Sequence, residues 1–207
     1  SASVNIIDDD VATASVSPIV NAEETVSGTI GIPGGFLVSL TNTVDVDTTV
    51  TYSVGGSATP GTDYTAVSTT VIVPMGSSTA VVYVNPVNDT LVEGNEDVVV
   101  ALTGITPTYG GSVTYSSTPA TVTIIDNDSS TLSITGGTVS ENVGTATFTL
   151  NLSNPSATDT TVFYSLGGSA TPTSDFTPGA TTGSVVISAS VTSVPVVMTI
   201  NDDSLVE

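Results

Sequence analysis

Two runs of β-forming residues, Ala80–Val84 and Val98–Leu102, flank the loop Asn88-Asp89-Thr90-Leu91-Val92-Glu93-Gly94-Asn95-Glu96-Asp97, in which carboxylate and amide oxygens recur with no basic neighbour. Hard oxygen donors gathered in this way suit a hard, multivalent cation that takes its ligands from several loops. The pattern returns at Asn201-Asp202-Asp203-Ser204-Leu205-Val206-Glu207. Such loops act only if the fold brings them together, so the elements around them matter as much as the acids.

Charge sharpens the point. The 207 residues include 20 Asp and Glu and no Lys, Arg or His, a formal net charge of −20. Two carboxylates about 4 Å apart repel by about 4 kcal/mol at an effective dielectric of about 20, so clustered acids must reach water, take up protons or share a cation. All but Asp45, Asp47 and Asp159 fall in motif loops rather than being spread over the sequence. A solvated acidic pole is the alternative reading of that clustering. The lack of basic residues excludes nucleic acid as a partner and removes anionic membranes. Without Cys and His, soft or imidazole-seeking metals are excluded as well. No nucleophile–base pair can be assembled, and paired loop acids without a substrate cleft do not make a glycosidase, so an enzyme is not expected.

The remaining composition is that of an ordered chain, with 39% hydrophobic residues and a mean hydropathy of +0.37. No apolar run is long enough for membrane insertion, and the opening residues are not a signal peptide. Internal repetition is plain: Val50–Tyr64 matches Val162–Phe176 at an offset of 112, and Val4–Asp10 matches Val122–Asp128 at an offset of 118. The difference places an insertion near Thr25–Gly35. The chain therefore divides into 1–10, the last strand of a preceding repeat, 11–128, a complete domain, and 129–207, an incomplete second domain. Short β-rich runs at about 13–20, 35–41, 48–54, 69–74, 79–87, 97–105 and 119–126, punctuated by Gly, Pro, Asn and Asp, predict an all-β fold of tandem antiparallel β-sandwiches, immunoglobulin-like in kind. The second domain repeats the order at about 131–135, 145–153, 160–166, 183–188 and 192–200, then lacks the last two strands. The joint Asp126–Thr131 has no Gly or Pro, so consecutive domains should nearly abut, with acids at the joint.

These motifs, in this order, resemble Calx-beta domains: an acid after the first strand, Gly-x-Ala-x-x-x-x-Asp-Tyr/Phe after the third, an Asn/Asp-rich turn leading to Glu-x-x-Glu, and a closing Ile-Ile-Asp-x-Asp. The resemblance covers the whole chain and implies Ca²⁺ bound at one end of each sandwich. In the complete domain it implies Glu23 or Glu24, Asp63, Asp89, Glu93, Glu96, Asp126 and Asp128, with Asn88 and Asn127 as carbonyl donors. In the second it implies Glu141, Asp175, Asp202, Asp203 and Glu207, while Asp8, Asp9 and Asp10 belong to the preceding repeat. Asn88, Thr90, Asn95 and Asn127 stand where exchanger domains are acidic, which implies weak binding, with dissociation constants of about 10⁻⁴–10⁻³ M as in extracellular modules.

The expected role is a calcium-stabilised extracellular or cell-surface repeat protein, structural or adhesive, forming a stiff rod or filament; a calcium-sensing regulatory module is the alternative. Its partners would be neighbouring repeats of the same or an identical chain, head to tail, and a surface glycan or protein target. An unpaired edge in the second domain would be filled by a strand from outside it, either further along an array or from the Val4–Asp10 segment of another chain. Asn88, Asn127 and Asn151 fit the N-glycosylation pattern, and Asp47, Asp89, Asp159 and Asp203 each precede Thr or Ser in a pattern resembling O-glycan acceptors. Tyr52, Tyr64, Tyr164 and Phe176 recur beside the loops and are read as core.

Overall fold

The computed structural model describes residues 2–4, 9–25, 31–106, 112–177 and 180–204. It separates into two compact units, Ser1–Asp89 with Gly94–Asn127, and Asp128–Glu207 with Thr90–Glu93. No helix among the described residues is long and apolar enough to cross a membrane.

The first unit contains β1 (Val11–Val20), β2 (Ala22–Glu23), β3 (Gly34–Leu40), β4 (Thr48–Gly56), β5 (Thr70–Val73), β6 (Thr79–Val84), β7 (Glu96–Thr106), β8 (Ser112–Tyr115) and β9 (Ala120–Ile125). They form two sheets, ordered β6-β3-β1-β8 and β2-β9-β7-β4-β5. Side chains alternate across a strand, so every second residue faces the other sheet. Accordingly Phe36, Val38 and Leu40 of β3, Val98, Val100 and Leu102 of β7, and Ala120, Val122 and Ile124 of β9 fill a common core. Burying each large aliphatic or aromatic side chain contributes about 1.5–3 kcal/mol. The β-rich runs expected from sequence all become strands, with ends displaced by at most three residues.

Two short strands, β2 and β8, are additions to that expectation, and both pair in parallel: β2 with β9, and β8 with β1. β1 lies in one sheet and β2 in the other. Between them stands Asn21, whose side-chain oxygen accepts from Thr123 N at 3.2 Å. This change of sheet sends the residues after β2 along the end of β9, which is what places Glu24. Of the stretch Thr25–Gly35, near which the six-residue insertion was expected, residues 26–30 lie outside the described residues.

The second unit contains β10 (Leu132–Thr135), a 3₁₀ turn at Glu141–Val143, β11 (Thr145–Leu152), β12 (Thr160–Ser165), β13 (Phe176–Thr177), β14 (Thr182–Ile187) and β15 (Ser193–Ile200). Its sheets are β10-β11-β15-β13 and β12-β14. Among the described residues its buried cluster is limited to Leu150, Val162 and Ile187, with half-buried Leu152, Val185, Val194 and Val196 packed around them.

Candidate metal centre

The acids are positioned by backbone pairing at the end of the β2-β9-β7-β4-β5 sheet. Glu23 pairs with Ile125, and the next residue, Glu24, donates its N–H to the Ile125 carbonyl at 3.1 Å. Glu96 opens β7 opposite Ile124. One residue beyond β9, Asp126 accepts a hydrogen bond from Gly94 N at 2.8 Å and donates its own N–H to the Asn95 side chain at 3.3 Å. The segment between β6 and β7 is thus tied at its far end to the residue that follows β9.

Asp63 comes from the turn after β4. Its Oδ2 accepts from Thr59 N, its N–H donates to the Thr59 carbonyl at 3.0 Å, and its own carbonyl accepts from Val87 N at 2.9 Å. That turn is closed on all sides, and Asp63 is 5% exposed. Beside it the Tyr64 phenol is pushed above its ordinary value, first by burial and then by the negative charge of Asp63.

Two groups of three carboxylates result, Glu24 with Asp89 and Asp128, and Asp63 with Glu93 and Glu96. In each, one oxygen from every residue lies within 4.8 Å of the others. Glu93 and Asp128 are peptide-bonded to Gly94 and Asn127, both in the first unit. Glu24 is 5% exposed, and Oε2 of Glu96 and Oδ2 of Asp128 are shielded from solvent. Charged oxygens out of water are costly unless compensated. With no Lys, Arg or His in the chain, a basic side chain cannot supply the compensation. Oxygens around one Ca²⁺ ion, each about 2.4 Å away, stand at most about 4.8 Å apart, so each group is close enough to share such an ion.

Not every acid expected to bind metal joins a group. Glu23 is half-buried, and its N–H and carbonyl pair with Ile32 at 3.0 and 2.8 Å. Asp126 holds the Gly94 amide instead, and the Asn88 amide donates to the Asp89 carbonyl at 3.2 Å. Asn127 is half-buried and belongs to neither group. In the second unit Glu141 opens the 3₁₀ turn, Asp202 and Asp203 are exposed, and Asp175 repeats the role of Asp63, accepting from Thr171 N. Among the described residues these four make no group of three. Asp9 and Asp10 are exposed and also stand outside the groups, while Asp8 and Glu207 lie outside the described residues.

The structure corrects one modification reading. Asp47 Oδ1 accepts from Met75 N and Asp159 Oδ1 from Ala189 N, both at 2.9 Å, so these acids clamp equivalent turns. Thr48, the supposed O-glycan acceptor, is fully buried and donates to the Val46 carbonyl at 3.1 Å. Sequence reasoning also missed Asp97, which accepts from Thr123 Oγ1 at 2.8 Å and whose N–H donates to Ser57 Oγ at 2.9 Å. Its alternation with the buried Val98 was the available signal, since it puts Asp97 on the outer face.

The model of the Calx-beta domain family matches residues 7–128 and 129–207. All six grouped carboxylates fall in the first match. No curated protein matches the chain. Among solved structures, CBD12 from CALX1.2 is similar at 17% identity and a TM-score of 0.45, over 94% of this chain and 77% of that one. The calcium binding domain CBD12 of CALX1.1 is similar at 16% and 0.41, over 91% and 76%. The apo form of the Calx CBD1 domain is similar at 19% and 0.42, over 56% and 98%.

Proposed function

The chain belongs to the Calx-beta family, and from that premise we propose that it is a calcium-binding protein without catalytic activity, used as a structural or adhesive repeat at the cell surface or outside the cell. The observation that carries the calcium reading is the pair of three-carboxylate groups in a chain that has no basic side chain. Glu24, Asp89 and Asp128 would hold one ion, and Asp63, Glu93 and Glu96 a second. Backbone carbonyls and water would supply the further oxygens that Ca²⁺ takes. When bound, the ions supply positive charge that offsets the repulsion within each group. Neighbouring repeats of the same or an identical chain are its partners in this reading, and calcium stiffens the array.

A second reading, a calcium-sensing regulatory module, is favoured by one feature. The segment between β6 and β7 gives Asp89 to one group and Glu93 to the other, and apart from isolated bridges it has no regular structure. Such a segment can change its conformation with calcium. Isothermal calorimetry of the full chain separates these readings. Binding at 10⁻⁴–10⁻³ M without a change in small-angle scattering supports the structural role, and micromolar binding with a changed scattering profile supports the sensor. Absence of calcium heat up to several millimolar overturns both.

A further inference from the structure

On one side of the first unit each sheet ends in a strand with a single neighbour: among the described residues β5 pairs only with β4, and β6 only with β3. A cleft of about 270 Å³ is lined by both of these edge strands. Residues 65–69 run between the two sheets beside it and are tied at both ends. Thr65 N donates to the Asn85 carbonyl and Tyr52 N to the Thr69 carbonyl, each at 2.9 Å. Ser68 Oγ is held in turn, accepting from Thr70 N at 3.2 Å. The walls are therefore set before anything binds, which lowers the ordering cost of binding.

The lining is unlike the rest of the molecule. None of its eleven residues is charged, in a chain of net charge −20. A cation finds no carboxylate there, and an anion meets the field of the whole chain. What the cleft offers instead are neutral groups that both donate and accept, the exposed Thr65, Ser68, Thr70 and Asn85. Beside them stands Tyr83, 62% exposed, a flat apolar ring with a polar tip. A sugar ring makes the same two demands, with C–H groups on its faces and hydroxyls around its rim. Pockets for drug-sized ligands start at about 300 Å³, so a cleft of this size takes one ring.

The second unit shows that the sandwich does not need these side chains. Phe36 pairs with Val82 in one unit and Phe148 with Val196 in the other, so Tyr83 corresponds to Val197 and Asn85 to Thr199. Ser68 corresponds to Ala180 at the offset of 112, whereas Tyr52, a core residue, recurs as Tyr164. Packing keeps the tyrosine of the core, while the aromatic ring, the amide and one hydroxyl of the cleft belong to the first unit alone.

We infer that this cleft binds one ring of a neutral saccharide, stacked on Tyr83 with its hydroxyls on Ser68, Thr70 and Asn85. An added peptide strand fits less well, because Thr65 already pairs with Asn85 and β5 ends after four residues at Pro74. The site takes its use from the adhesive reading above, but binding does not rest on calcium.

The test titrates the isotope-labelled full chain, in EDTA, with neutral trisaccharides of glucose, mannose, galactose and N-acetylglucosamine, and with a glucuronate trisaccharide as the acidic control. At least one neutral sugar should shift the amide signals of residues 65–71 and 81–85, and the acidic one should not. No shift there from any neutral sugar up to about 10 mM, well above a millimolar dissociation constant, overturns the site. Equal shifts from the glucuronate trisaccharide overturn the charge argument, and shifts only from an extended Thr-Val peptide hand the cleft to strand addition instead. Tyr83→Val with Asn85→Thr introduces what the second unit carries at these positions. It should keep the urea midpoint and weaken binding about five- to ten-fold, the loss expected for an aromatic contact. Ser68→Ala should weaken it as well without touching Tyr83. Unchanged affinity in both variants overturns the assignment of these side chains. Because the titration runs in EDTA, failure of the chain to bind calcium strikes the earlier reading and leaves this one standing.

Discussion

Asp63 does two things at once, and its variants separate them. It satisfies the Thr59 amide inside a closed turn, and its carboxylate belongs to the group with Glu93 and Glu96. Asp63→Asn keeps an acceptor for Thr59 but removes the charge. In EDTA it should match or exceed the stability of the parent, because like charges are relieved, and it should lose most of the calcium-dependent gain. Asp63→Ala removes the acceptor of the part-buried Thr59 hydrogen bond and should cost about 0.5–1.5 kcal/mol even in EDTA. Urea unfolding with and without calcium distinguishes the pair; an equal loss for both variants in EDTA would remove the charge argument.

Tyr52 gives the pH dependence. It is 2% exposed, and burial raises its phenol above the ordinary 10.0. A raised folded-state value means that the neutral form is favoured in the folded chain. That stability is fully present below about pH 10 and is lost as pH rises through the folded value. Tyr52→Phe should therefore flatten the fall in urea midpoint above about pH 10 while changing little at pH 8, since the phenol's hydrogen bond to the Thr70 carbonyl is long, at 3.5 Å. Which acids would converge was partly legible at this scale. Asp63, Asp89, Glu93, Glu96 and Asp128 stand in motif loops and do meet, but Glu24 could not be chosen over Glu23 from sequence. The choice depends on which of two adjacent residues follows the β2–β9 pairing inward, and a two-residue strand leaves no periodicity to read.

Among elements, the segment between β6 and β7 links the two carboxylate groups, and Asp126 anchors it. Replacing Asp126 with Ala releases the Gly94 amide at the point where this segment enters β7. We expect a stability loss of about 0.5–1.5 kcal/mol in EDTA and weaker calcium binding at both groups together, although Asp126 belongs to neither. Calorimetry that showed weakening of one group alone would overturn the linkage. The longer strands were legible because their residues are β-formers in sustained runs, as in Val98-Val99-Val100-Ala101-Leu102, or alternate polar with apolar, as in Thr121-Val122-Thr123-Ile124, where Val122 and Ile124 are buried. β2, β8 and β13 were not, because two to four residues carry no period, and their pairing is decided by where distant strands end. Gly56 shows the same limit: the sequence marks a turn, whereas the close approach of the Asp97 carbonyl is what demands glycine.

For the molecule as a whole, calcium should act unevenly. A site adds about 1.4 kcal/mol when free calcium is ten times its dissociation constant, so two such sites add about 3 kcal/mol. At about 4–8 °C per kcal/mol for a small domain, the first unit should melt on the order of 10 °C higher in calcium than in EDTA. Among the described residues the second unit holds no group of three carboxylates and has a smaller buried cluster, so its transition should come first and move little. Charge screening is the competing cause of stabilisation in a chain of net charge −20. It is general rather than site-specific: at about 0.1 M salt the Debye length is near 10 Å, and added sodium weakens repulsion between exposed acids in both units. Differential scanning calorimetry in EDTA with sodium chloride, and then in calcium at matched ionic strength, sets the two causes apart. A selective rise of one transition in calcium is the expected trace. Equal rises of both transitions in sodium and in calcium would mean that the acids act as a screened surface, and that the two groups hold no ion.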